Sequence, residues 1–95
     1  MDRVGISFKS PLSGDEVRER YIRPLHAALE AAKAGFYSNY LREAGEHPDG
    51  PCEHLLVFQV FDFERGLRLL RTELEKLDRP AEVHLHNLNP SDPMY

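Results

Sequence analysis

HLLVFQVF, residues 54–61, is the stretch whose reading decides the fold. It is continuous, apolar and partly β-branched. It stands between a loop rich in Gly and Pro, AGEHPDGPC (residues 44–52), and an aspartate suited to cap a helix, so it reads as the central strand of a sheet. Successive side chains of a strand point to opposite faces. Leu56, Phe58 and Val60 make the better core face, which leaves Leu55, Val57, Gln59 and Phe61 on the other, and three of those four are apolar. A sheet with one solvated face should read apolar inside and polar outside. A strand that is apolar on both sides therefore calls for a second covering body.

Downstream, Asp62 can cap a helix from Phe63 to about Leu77, with Phe63, Leu67, Leu70, Leu74 and Leu77 on one face. Gly66 lies beside that stripe, where a missing side chain lets helix and sheet approach closely. Glu64, Arg65, Arg68, Arg71, Glu75 and Lys76 form the solvated face, with helix-spaced ion pairs expected among them. AEVHLHNLN, residues 81–89, alternates Val83 and Leu85 with His84 and His86 and reads as the last strand. NPSDPMY is a tail whose prolines oppose pairing.

Upstream, VGISF (residues 4–8) alternates Val4, Ile6 and Phe8 with Gly5 and Ser7, the pattern of a half-buried strand. Ser13 and Glu16 have capping-box spacing, so a helix begins there, with Val17, Tyr21, Leu25, Leu29 and Ala32 as its core stripe, widened by Ile22 and Ala28. Pro24 inside it implies a kink, or a restart with the proline in a first turn. Gly35 is expected to end the helix. FYSNYLRE (residues 36–43) reads as a strand because of its aromatic residues, the competing reading being a helix continued through Tyr40.

The order strand, helix, strand, strand, helix, strand is the split unit of ferredoxin-like folds. The expected fold class is therefore α+β: a ferredoxin-like βαββαβ sandwich in which two helices cover one face of a four-stranded antiparallel sheet, with strands one and three in the middle. A chain of 95 residues suits one core, so residues 1–88 are read as a single domain and 89–95 as its Pro-rich tail. The resemblance is one of topology and selects no activity.

Composition narrows the function classes. Hydrophobic residues at 41% and charged residues at 29% are the proportions of a folded soluble chain. No apolar run is long enough to span a bilayer, and the opening MDRVGISFKS lacks the pattern of a secretory signal, so no membrane association and a cytoplasmic location are expected. The lone Cys52 has no partner for an internal disulfide, and its neighbours Glu53 and His54 do not mark a reactive thiol. A net charge of −4 opposes binding to phosphate backbones. The third strand also lacks the basic and glycine positions of an RNA-recognition domain, so nucleic acid is not an expected partner.

If Val83 and Leu85 pack on the helices, then Glu82, His84 and His86 share the open face with Gly5, Ser7 and Lys9. The expected binding residues are Ser7, Leu55, Val57, Gln59, Phe61, His84 and His86. The first reading is a small binding or regulatory module that uses this face for a protein partner or as a homodimer. The alternative is a small dimeric α+β-barrel enzyme with a His-containing pocket there, in which Ser7, Lys9, Gln59, His84 and His86 converge around a small-molecule ligand. His84 and His86 with Glu82 could offer three metal ligands, but strand histidines at this spacing are more often surface or interface groups, and no metal or cofactor is expected. Cover of the face by the long loop or the tail is the intramolecular alternative. His26 is read as a helix-surface residue facing Glu30, and His47 as solvated.

Overall fold

The structure, a computed structural model, describes residues 2–43, 50–77 and 82–88. It is an α+β fold with strands β1 (Asp2–Ser10), β2 (Gly35–Glu43), β3 (Cys52–Val60) and β4 (Val83–Asn87) in one antiparallel sheet. The sheet order is β2-β3-β1-β4, so β1 and β3 occupy the middle as their apolar patterns imply. Helix α1 (Gly14–Val17) passes through a π-helical turn (Arg18–Ile22) into α2 (Arg23–Ala31), and α3 (Phe63–Lys76) follows β3. The thinnest dimension of the molecule is 19 Å, the depth of one sheet and one helical layer. No helix among the described residues is long and apolar enough to cross a membrane.

Both helical segments begin as their sequences dictate. Ser13 accepts from the Glu16 N–H while the Glu16 carboxylate accepts from the Ser13 N–H, and Asp62 accepts from the Arg65 N–H. Of the two outcomes expected at Pro24, the chain takes the restart. A regular helix would press the proline ring against the carbonyl four residues back. The preceding turn is instead widened, with the Arg23 N–H reaching the Arg18 carbonyl, and α2 starts afresh with Pro24 in its first turn.

The end of α2 corrects the expectation placed on Gly35. The residue with left-handed backbone is Lys33, at φ 53°. Its N–H donates to the Glu30 carbonyl and the Ala34 N–H to the Leu29 carbonyl, the two bonds of a Schellman cap. Gly35 is already the first residue of β2, where a Cβ would run into the carbonyl of Gln59 across the ladder. Close approach of backbone explains that glycine. The helical continuation through Tyr40 is likewise excluded, since residues 35–43 pair with β3. A bulge between Tyr37 and Asn39 inserts one residue, so that Tyr37 and Tyr40 both turn toward the helices.

Between sheet and helices lies the core: Val4, Ile6 and Phe8 of β1 and Leu56, Phe58 and Val60 of β3 against Val17, Tyr21, Ile22, Leu25, Leu29, Leu70 and Leu74. Ala32, Leu67, Leu77, Val83 and Leu85 pack at its margin. Gly66 sits on Val60, and a Cβ there would lie 2.5 Å from the Val60 Cβ and Cγ1. Ion pairs favour the first helical segment, at Arg18–Asp15, Arg20–Glu16 and Arg23–Glu19, whereas α3 has Lys76–Glu73 among the described residues. The tail from residue 89 and His47 lie outside the described residues.

Two substitutions test this packing with opposite signs. Gly66→Ala should lower stability to urea by about 1–2 kcal/mol, because overpacking against a β-branched partner outweighs the better helix propensity of alanine. Lys33→Gly should raise it by about 0.5–1 kcal/mol, by relieving left-handed backbone on a side chain that is exposed. A stabilising Gly66→Ala would contradict the close approach of α3.

Candidate functional site

The ladder registers lay out the open face in rows. Glu43, Glu53 and Lys9 are cross-strand neighbours at one end; Leu41, Leu55, Ser7 and His84 form the next row; Asn39, Val57, Gly5 and His86 the third; Phe36, Gln59 and Arg3 the fourth. Leu88 follows β4 beside Arg3, its N–H donating to the Arg3 carbonyl at 3.0 Å. The histidines thus point away from the core, as the alternation of residues 83–87 requires.

The floor of this face is apolar and its rim polar. A Cβ at Gly5 would meet Leu88 Cδ1 at 2.6 Å and Leu55 Cδ1 at 3.1 Å, so these two leucines lean together over the bare backbone of β1. On the same face Val57 is 9% exposed, while Leu41, on the edge strand, remains 53% exposed. A shallow hollow of about 700 Å³ opens over Ser7, Leu41, Arg42, Glu43, Glu53, Leu55, His84, His86 and Leu88. A second hollow, of about 490 Å³, continues past Ser7 and His84 to Lys9 and Glu82.

Of the expected binding residues, Ser7, Leu55, His84 and His86 meet in the hollow, with Val57 buried beside them. Gln59 does not join them: it lies two rows away and donates to Ser38 Oγ at 3.3 Å. Phe61 does not join them either: β3 ends at Val60 and the exposed Phe61 follows it, its N–H bonding the Ala34 carbonyl. Leu41 and Leu88 were missed. Leu88 was accessible to reasoning, since it continues the face of His84 and His86 at the same two-residue spacing. Leu41 was not, because the bulge in β2 inverts the side on which each later residue falls.

Chemically, the closest pair is Ser7 Oγ and His86 Nε2, at 2.7 Å. A hydroxyl beside an imidazole is the first half of a nucleophilic site; the second half is a set of donors aimed at a developing oxyanion. Ser7 lies mid-strand between two ladders, so its own backbone N–H is spent on the sheet. The His84 and His86 ring centroids are 6.3 Å apart. No three His, Cys, Asp or Glu side chains among the described residues are gathered to share a metal ion. The arrangement is therefore that of an apolar floor with a polar rim, better suited to contact than to bond-making.

On the other face, β3 buries a polar group. The strand begins two residues earlier than expected, at Cys52, whose Sγ accepts from Arg42 Nη2 at 3.4 Å. His54 consequently points into the core and is fully buried. Its Nε2 lies 3.1 Å from the Ser10 carbonyl, which can only accept, so Nε2 carries the proton and Nδ1 accepts from the Tyr40 hydroxyl at 2.7 Å. Every polar atom of this neutral imidazole is satisfied. Burial holds its pKa below the ordinary value, the Ser10 carbonyl opposes that shift, and Arg42 adds to it. Burial also pushes the Tyr40 hydroxyl up, which keeps it a donor. His26 pairs with Glu30 as expected, and its Nδ1 additionally accepts from the Tyr37 N–H at 2.9 Å beside the bulge.

With the geometry in hand, comparison with known proteins gives no further guide: no family model, no curated protein and no solved structure matches this chain.

His54 yields a pH dependence whose sign is fixed. A folded-state pKa below the unfolded value of about 6.5 contributes stability in full above that value and loses it as the pH falls beneath it. Urea unfolding of the wild type should therefore weaken on acidification from neutrality through this range. Tyr40→Phe, which leaves Nδ1 without a donor, should cost about 1–2 kcal/mol at neutral pH. An NMR titration that finds the His54 imidazole protonating above its ordinary value would contradict the assignment.

Proposed function

We propose that the chain is a small binding or regulatory module whose open sheet face docks a protein. The observation that carries this reading is the row Leu41–Leu55 with Leu88 beside it: an apolar strip on the face that the helices leave uncovered, rimmed by Ser7, His84, His86, Glu43 and Glu53. Apolar floors with polar rims are the anatomy of protein contacts, and an exposed strip of this kind is otherwise a liability for a lone molecule. The order of elements and the central placing of β1 and β3 support a ferredoxin-like reading of the fold. Sheets of that kind leave one face without helices, as this one does among the described residues. The acidic net charge favours a protein over a nucleic-acid partner.

The Ser7–His86 contact favours a second reading, a small enzyme with its pocket on the same face. Stoichiometric labelling of Ser7 by a fluorophosphonate, lost in His86→Ala, would select that reading.

For the first reading the probe is bis-ANS, a dye that lodges on exposed apolar surface of folded proteins. Saturable fluorescence under native conditions is expected, reduced severalfold by Leu41→Asp and kept by Arg71→Asp on the exposed side of α3. Because Leu41 is half exposed already, its substitution should leave thermal stability within about 0.5 kcal/mol of wild type. Dye binding that ignores Leu41→Asp would place the sticky surface elsewhere.

A further inference from the structure

Resting on the docking-face reading, we infer that the occupant of the open face is a second copy of this chain, seated about a two-fold axis that runs along the strands between β1 and β3. Two observations bear on it. The first is extent. Four strands at about 4.8 Å and the six residue steps from Arg3 to Lys9 make a patch about 20 Å by 20 Å, roughly 400 Å² in projection. A patch of that size is at the small end for protein contacts, which fits a weak, reversible dimer.

The second observation is the arrangement of charge on the two central strands. Lys9 and Glu53 face each other across the β1–β3 ladder, both exposed, and neither has an ion-pair partner among the described residues. An axis along the strands between β1 and β3 lays β1 of one copy over β3 of the other. Lys9 then meets Glu53 of the second copy, and Glu53 meets its Lys9, which gives two ion pairs from one contact. The same operation lays the floor of one copy, where Leu55 and Leu88 already cover Gly5, against that of the other. An axis across the strands would instead lay each β1 over its counterpart end for end and each Glu53 toward Gln59, so both Lys9–Glu53 pairs would be lost. In the favoured one His84 and His86 fall at the rim, beside Leu41 of the second copy.

This geometry is tested by two charge reversals on exposed residues, neither of which disturbs the core. By sedimentation velocity, wild type should show a concentration-dependent dimer, and Lys9→Glu or Glu53→Lys alone should weaken it at least about tenfold. The decisive sample is the equimolar mixture of the two variants. In a heterodimer the carboxylate introduced at position 9 of one chain meets the ammonium introduced at position 53 of the other, while the unaltered Glu53 of the first meets the unaltered Lys9 of the second. Dimer should therefore return to near wild-type strength and appear in native mass spectrometry as the mixed species. Failure of the mixture to associate overturns the proposal, as does a Lys9→Glu dimer as strong as that of wild type. A wild type that stays monomeric at millimolar concentration overturns the second copy as occupant, while a retained, Leu41-dependent dye response would show that the docking face itself survives. A dimer indifferent to Leu41→Asp would sink both.

Discussion

β3 has apolar side chains on both sides of a sheet that carries helices on one side. Leu56, Phe58 and Val60 are fully buried under the helices, each worth about 1.5–3 kcal/mol against exposure. That inward set explains why β3 takes the middle of the sheet and why two helical segments gather over it. The outward set, Leu55 and Val57, has no helix to meet. Part of the need is met locally: Leu88 and Leu55 both lie over Gly5, and Val57 is almost closed off. What stays open is the strip from Leu55 to Leu41, and the functional reading follows from that remainder.

The helical side shows how closely the chain is fitted to β3. At one end of the strand Val60 presses on Gly66, while Gly35 lets β2 pass the Gln59 carbonyl. At the other end the core is closed by a polar plug, with His54 held neutral between Tyr40 and the Ser10 carbonyl and stacked on the Tyr40 ring. A plug of this kind fixes register, because a slip of one residue would turn His54 to solvent and strand the Tyr40 hydroxyl. It also makes the packing of β2 on β3 sensitive to acid, although the open face itself contains none of these groups.

How far the sequence anticipated this depends on which signals are periodic. Two-residue alternation was enough to assign the faces of β1, β3 and β4, and therefore to place Ser7, His84 and His86 together. Capping residues located both helix starts, and the missing side chain of Gly66 foretold the close approach of α3. Reasoning failed where the structure departs from period. The bulge near Ser38 hid Leu41, and a lysine, rather than the nearby glycine, takes the left-handed position after α2. His54 stands inside β3 rather than at its start, because the strand begins at Cys52. Its burial depends on Tyr40 and Ser10, partners distant in sequence that no local pattern reveals.

The claim beneath all of this is that the outward leucines of the sheet are sheltered by another molecule when the protein is concentrated. Methyl NMR with a neutral gadolinium chelate in solution reads that shelter residue by residue. The account predicts weak paramagnetic relaxation of Leu41 and Leu55 methyls at high protein concentration, rising steeply on dilution, while the methyls of Leu56 and Val60 stay unaffected throughout. Equal, strong relaxation of Leu41 and Leu55 at every concentration would mean a bare face, and would contradict it.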